Sequence, residues 1–148
     1  MIPRSESEPI SPFDWRSELQ LHVLEIDRQH QELLVRARAL RDSIDAARPW
    51  QELQVMLSAL IGFTEMHFRT EEQLMLAHGY EGYLAHKAEH TDLLAQAYLV
   101  RGELSAGAIG PCHMLSLFIA VWANQHIVDL DKKFFSFLET QRGSGAPR

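Results

Sequence analysis

The sequence predicts an all-α protein: an antiparallel up-down-up-down four-helix bundle with an extended N-terminal arm. Three observations predict it. Four long stretches carry apolar residues at helical period. The breaks between them are short and marked by Gly or Pro. No strand-like alternation of useful length interrupts them. A chain of 148 residues is long enough for one domain with a real core and too short for two ordinary ones. The expected division is an arm over residues 1–20, the bundle over 21–140 and a flexible tail over 141–148.

In the arm, Ser11, Pro12 and Asp14 are turn and cap residues, and Phe13 and Trp15 are anchors onto the body. The first helical stretch carries Ile26, His30, Leu33, Leu34, Ala37, Leu40 and Ile44. Pro49 ends the loop after it and suits the start of a second helix. That helix carries Leu53, Met56, Leu60, Thr64, His67, Glu71 and Met75, and Gly79 and Gly82 break the chain beyond it. The third stretch carries His86, His90, Leu93, Leu94, Ala97, Tyr98 and Leu104. Gly107, Gly110 and Pro111 mark the last loop. The fourth stretch carries Leu115, Phe118, Ile119, Trp122, His126, Leu130 and Phe134.

Composition narrows the function. Apolar residues make up 46% and charged residues 23%, as in ordinary soluble globular proteins. A net charge of −6 without any basic cluster excludes nucleic acid as a partner. No apolar run is long enough for a membrane span, and the polar, Pro-rich start contains no signal-peptide core. The lone Cys112 permits no internal disulfide and fits a reducing compartment, so a cytoplasmic location is expected.

Eight histidines are many for this length, and five of them, with one glutamate, occupy positions where the helical pattern calls for Leu or Ile. His67 and Glu71 are four apart, as are His86 and His90, so each pair shares a helix face. His30 and His126 stand alone on their stripes, and Asp131 follows His126 by five. A single histidine on an apolar stripe is ordinarily a core residue with a backbone partner. Five imidazoles and two carboxylates in one core are another matter. Each unpaired polar group costs about 2 kcal/mol or more, against a net stability of roughly 5–15 kcal/mol. A metal centre removes the conflict by taking up imidazole lone pairs and neutralising carboxylates. Seven candidate ligands exceed one tetrahedral zinc site and suit two metals bridged by carboxylates. Nitrogen-rich, thiolate-free ligation suits iron, with manganese or cobalt as alternatives.

The motifs I26-D-R-Q-H30, H67-F-R-T-E-E72, G79-Y80, H86-K-A-E-H90 and W122-A-N-Q-H-I-V-D-L-D131 carry a close resemblance to the hemerythrins, especially single-domain bacterial ones. The resemblance runs from Phe13 to about Phe135. It implies two iron ions with an oxo or hydroxo bridge. One is held by His86, His90 and His126 and the other by His30 and His67, with Glu71 and Asp131 bridging. The two-histidine iron would keep a position open for O₂. Leu33, Phe68, Trp122, Ala123 and Ile127 would line the pocket over it. The implied activity is O₂ binding for transport, storage, delivery or sensing. The alternative is a di-iron redox enzyme acting on peroxide or nitric oxide, with azide as a further small ligand. Oxygen-activating di-iron bundles carry Glu-x-x-His pairs, which are absent here, so binding O₂ is favoured over cleaving it. The expected assembly is a monomer or weak oligomer.

Some residues depart from that pattern. Many hemerythrins place Leu at the position of Ala123. The shorter side chain implies either a larger, wetter pocket or a neighbour such as Phe68 or Leu33 repacked into the space. His22 precedes His30 by about two helical turns and is either a proton relay behind the site or a partly exposed histidine. His78, in the loop before Gly79, and the face charges Glu72 and Glu89 are expected in solvent, with Glu72 alternatively supporting a ligand from outside. His126 and Asp131 lie about 140° apart on a regular helix, so a widened turn is expected near residues 126–131.

Overall fold

The computed structural model describes residues 23–107, 113–125 and 131–143. Five helices make up these residues: α1 (Leu24–Asp45), α2 (Trp50–Ala77), α3 (Tyr83–Ser105), α4 (His113–Gln125) and α5 (Asp131–Gly143). The expected arm and His22 lie outside the described residues, as do His126, Ile127 and the turn in which a widened helix is expected. The fourth helical stretch of the sequence is therefore described as two helices, α4 and α5.

The short connections are made by the helix ends themselves. At the end of α1, Ala47 N–H bonds the Ile44 carbonyl and Arg48 N–H the Ser43 carbonyl, at 3.0 and 3.1 Å. The end of α2 repeats this pattern with Gly79 and Tyr80 bonding back to Leu76 and Met75. Both are C-terminal caps that need a residue in the left-handed region. Gly79 supplies it with φ 63°, whereas at the first cap Ala47 takes φ 54° without glycine's freedom.

Such tight reversals leave neighbouring helices antiparallel. α1 packs on α2 and α4, and α2 on α3. Between α3 and α4, the Trp122 indole N–H donates to the Leu93 carbonyl at 2.9 Å and closes the ring. The main core is aliphatic: Leu33, Leu34, Leu40, Leu53, Leu60 and Ile61 are all at most 2% exposed. A second, smaller cluster joins Met75, Phe134 and Leu138, with Tyr80 and Phe137 against it. This cluster ties α5 to the α2–α3 turn. His78, expected in solvent, is instead half-buried there. Its Nδ1 lies 3.3 Å from Gln141 Oε1, while Gln141 Nε2 donates to the His78 carbonyl at 3.2 Å. None of the described helices is long and apolar enough to cross a membrane.

Gly82 precedes the first turn of α3 and accepts the His86 backbone N–H at 2.9 Å. A Cβ at this position would stand 2.6 Å from the Tyr80 ring. That ring cannot swing away cheaply, because Phe134 and Phe137 hold it at centroid distances of 5.0 and 4.9 Å. Gly82→Ala is therefore expected to cost about 1–3 kcal/mol in urea unfolding, as other overpacked sites do. An unchanged midpoint would show that Tyr80 moves freely.

Candidate metal centre

Four histidines reach the middle of the bundle from three helices: His30 from α1, His67 from α2, and His86 and His90 from α3. Spacing by four residues keeps His67 with Glu71, and His86 with His90, on one helix face. Glu71 comes from α2, and Asp131 opens α5 and enters from the remaining side. All six are buried, none more than 4% exposed.

The two carboxylates divide their oxygens between two sets of imidazoles. Glu71 Oε1 lies 2.5 Å from His67 Nε2 and 3.2 Å from His30 Nε2. Its Oε2 lies 3.4 Å from His86 Nε2 and 3.3 Å from His90 Nε2. Asp131 does the same, with Oδ2 at 2.6 Å from His30 Nε2 and Oδ1 at 3.1 Å from His86 Nε2. Two donor groups result, each with its ligand atoms within 4.8 Å of one another: His30, His67, Glu71 and Asp131, and Glu71, His86, His90 and Asp131. Both contain Glu71 and Asp131. Imidazole nitrogens and shared carboxylates, buried together without a thiolate, fit a pair of metal ions of the iron type.

Electrostatics at the centre favour positive charge. Burial opposes protonation of His30, but Asp131 and Glu71 outweigh it and raise the imidazole above its ordinary value of 6.5. His86 is raised in the same way: burial opposes, and contacts with Asp131 and Glu71 prevail. Protons and metal ions therefore compete for these nitrogens.

Two residues outside the donor groups hold the rings from behind. Gln29 Oε1 lies 2.7 Å from His67 Nδ1. Glu72 Oε2 lies 3.1 Å from His90 Nδ1. Of the two sequence alternatives for Glu72, the structure selects support of a ligand, whereas Glu89 is exposed as expected. Gln29 was not legible in the sequence. Its only signal is that it adjoins His30, and adjacent helical residues point about 100° apart. Only the approach of α2 to α1 brings it behind His67.

Beside the donor groups lies a narrow apolar pocket lined by Leu33, Thr64, Phe68, Leu93, Trp122 and Ala123. It contains four of the five expected pocket residues, the fifth, Ile127, being outside the described residues. Thr64 and Leu93 are additions, and a signal for them existed. Leu33, Thr64 and Leu93 each stand three residues from a ligand candidate, His30, His67 and His90, at the same level of the bundle. Phe68 stacks on the His90 ring at 3.7 Å and 3°, which joins pocket to centre. The gaps within the pocket are too narrow for a water molecule, and the Thr64 hydroxyl is bound to the Leu60 carbonyl at 2.8 Å. Of the two alternatives for Ala123, the described residues thus favour the filled pocket over the larger, wetter one. Leu33, Phe68 and Trp122 take up the space.

A helical bundle whose helices share one buried, doubly bridged donor set defines a class of two-metal carboxylate–histidine proteins. Residues 22–138 match the family described as Hemerythrin HHE cation binding domain. The chain belongs to the hemerythrin family. It is 32% identical to a bacteriohemerythrin of Methylococcus capsulatus over 108 residues, 73% of this chain and 82% of that one. It is 27% identical to a hemerythrin of Sipunculus nudus, across 86% and 94% of the two chains. A crystal structure of a hemerythrin with a leucine-to-alanine substitution superposes with a TM-score of 0.76 at 30% identity, covering 83% of this chain and 94% of that one. Family and donor set together give the protein a di-iron centre.

The raised histidines set a pH dependence for protein stripped of metal. The carboxylate–imidazolium contacts stabilise the fold fully below the ordinary histidine value, and this stabilisation is lost as pH rises through the raised values of His30 and His86. Stripped protein should therefore melt at lower temperature as pH rises above about 6.5, while metal affinity rises over the same interval. Calorimetry at several pH values, with and without metal, checks both. A stripped protein that gains stability on alkalinisation would contradict the assignment.

Proposed function

We propose that the protein binds O₂ reversibly at a non-heme di-iron centre, with His30, His67, His86, His90, Glu71 and Asp131 as ligands and His126 completing the set. The observation that carries this reading is the juxtaposition of two donor groups sharing Glu71 and Asp131 with a dry apolar pocket one helical turn away. Iron supplies the electrons and the coordination position that O₂ needs. Everything else is the work of the chain.

Glu71 and Asp131 would hold the two metals between them, and their negative charge would offset part of the metals' charge in the bundle interior. The histidines orient the pair from three helices. Leu33, Phe68, Trp122 and Ala123 keep water and its protons from the ligand position. Exclusion of protons favours reversible binding, because a proton delivered to reduced oxygen lets it leave as peroxide. Among the described residues the pocket at Ala123 leaves no room for water, which supports O₂ binding over the alternative of an enzyme acting on peroxide or nitric oxide. Azide and nitric oxide remain ligands small enough for the same position.

Two measurements test this. Anaerobically reduced protein loaded with two irons per chain should change its visible spectrum on admission of O₂ and recover it under vacuum. Immediate, irreversible oxidation would refute the reading. Second, Ala123 is fully buried and its neighbours already close the pocket. Ala123→Leu should therefore change the lifetime of the oxygenated spectrum by less than about threefold, and cost about 1–3 kcal/mol by overpacking. A much longer lifetime without loss of stability would mean that solvent reaches the wild-type pocket.

A further inference from the structure

The rear nitrogens of the two ligand sets meet different chemistry. Behind His67 stands the neutral amide of Gln29, and behind His90 the carboxylate of Glu72. The orientation of the amide follows from its own neighbours. Gln29 Nε2 lies 3.5 Å from Thr70 Oγ1 and 3.7 Å from Met66 Sδ. Thr70 directs its hydroxyl proton to the Met66 carbonyl at 3.1 Å, with Met66 Sδ the alternative acceptor at 3.7 Å. The Gln29 NH₂ thus faces atoms able to accept, which leaves Oε1 turned to His67. His67 must then carry its proton on Nδ1 and present the Nε2 lone pair to the centre, where Glu71 lies. His90 is held in the same tautomer by Glu72, but through a charge-assisted bond. The Glu72 side chain is 17% exposed and so keeps contact with solvent.

A carboxylate behind a ligating imidazole makes the imidazole a stronger donor than a neutral amide does. We propose that Glu72 and Gln29 are positioning residues that widen the inequality of the two metal positions beyond what three histidines against two give. Glu72 strengthens donation from His90, so the metal at His86 and His90 is held more tightly and favoured in its higher oxidation state. Gln29 orients His67 without adding charge, so the metal at His30 and His67 is held more loosely and its lower oxidation state is favoured. The inference rests on the ligand reading proposed above.

The test is a cobalt(II) titration of the metal-stripped full chain, followed by d–d absorption, beside potentiometry of the iron-loaded protein. Wild type should take up two cobalt ions in two resolved steps. Glu72→Gln, which keeps shape and removes charge, should weaken the tighter step by about 10–100-fold and leave the weaker one in place. Gln29→Glu should tighten the weaker step by about tenfold and bring the two together, whereas Gln29→Leu should weaken it. In the iron protein, Gln29→Glu should lower the potential of one iron only. Two unresolved, equal steps in wild type would overturn the inference, as would Gln29→Glu and Gln29→Leu acting in the same direction, the mark of a packing role. Uptake of fewer than two cobalt ions per wild-type chain would instead refute the ligand reading itself.

Discussion

Two carboxylates buried at the middle of a helical bundle are the constraint on which the structure depends. Glu71 and Asp131 are each about 1% exposed and lie where an aliphatic core would otherwise be continuous. An ionised carboxylate taken out of water costs several kcal/mol even after relaxation. The chain meets that cost by bringing imidazoles to every oxygen of both groups, from α1, α2 and α3. This demand explains why the helices carry histidine where their periodicity calls for Leu, and why four helices are needed. No single helix can surround a carboxylate, and antiparallel neighbours meeting at one level can.

The same level of the bundle divides into a polar half and an apolar half. Three residues along each of α1, α2 and α3 from a histidine stands a lining residue of the pocket, Leu33, Thr64 or Leu93. The direction alternates with the helices, toward the C-terminus on α1 and α3 and toward the N-terminus on α2, which is what antiparallel packing requires. One turn of helix therefore separates a charged centre from a space that excludes water. Electrostatic interactions at the centre are strengthened by this dry wall, since little solvent is near to screen them. The Phe68 ring, flat against His90, is the shared boundary: it follows ligand candidate His67 in sequence, lines the pocket and stacks on the opposite helix.

The sequence disclosed the helices and five of the six described donors because both obey a period, while Asp131, five residues after His126, rested on the family resemblance. Replacement of Leu by His at i and i+4 is visible without coordinates, as with His67 and Glu71 or His86 and His90. The family resemblance sharpened this to a di-iron reading, and the fold and family comparisons bear it out. What escaped was everything that depends on side chains meeting across helices. Gln29 adjoins His30 in sequence but serves His67, and Glu72 adjoins Glu71 but serves His90. The choice between the two alternatives at Ala123 stayed open for a related reason. A small residue announces lost volume, yet only the packing of Leu33, Phe68 and Trp122 decides whether the volume stays empty. His78 looked like a loop histidine, and the α5 residue that holds it, Gln141, lies 63 positions away.

Those long-range contacts also show how the ends of the bundle secure its middle. Asp131 lies on α5, so its position depends on the anchoring of that helix. Phe134 and Leu138 follow at helical spacing and pack with Met75, one turn beyond Glu71 on α2. Tyr80 wedges against Phe134 and Phe137 from the turn that leads through Gly82 to His86. Glu71, His86 and Asp131 thus hang from one aromatic cluster, which fixes three donors on three helices relative to one another. A bridging carboxylate tolerates little displacement, because each oxygen must face its own set of imidazoles. The aromatic packing at the bundle's end is therefore as much a part of the metal centre as the histidines.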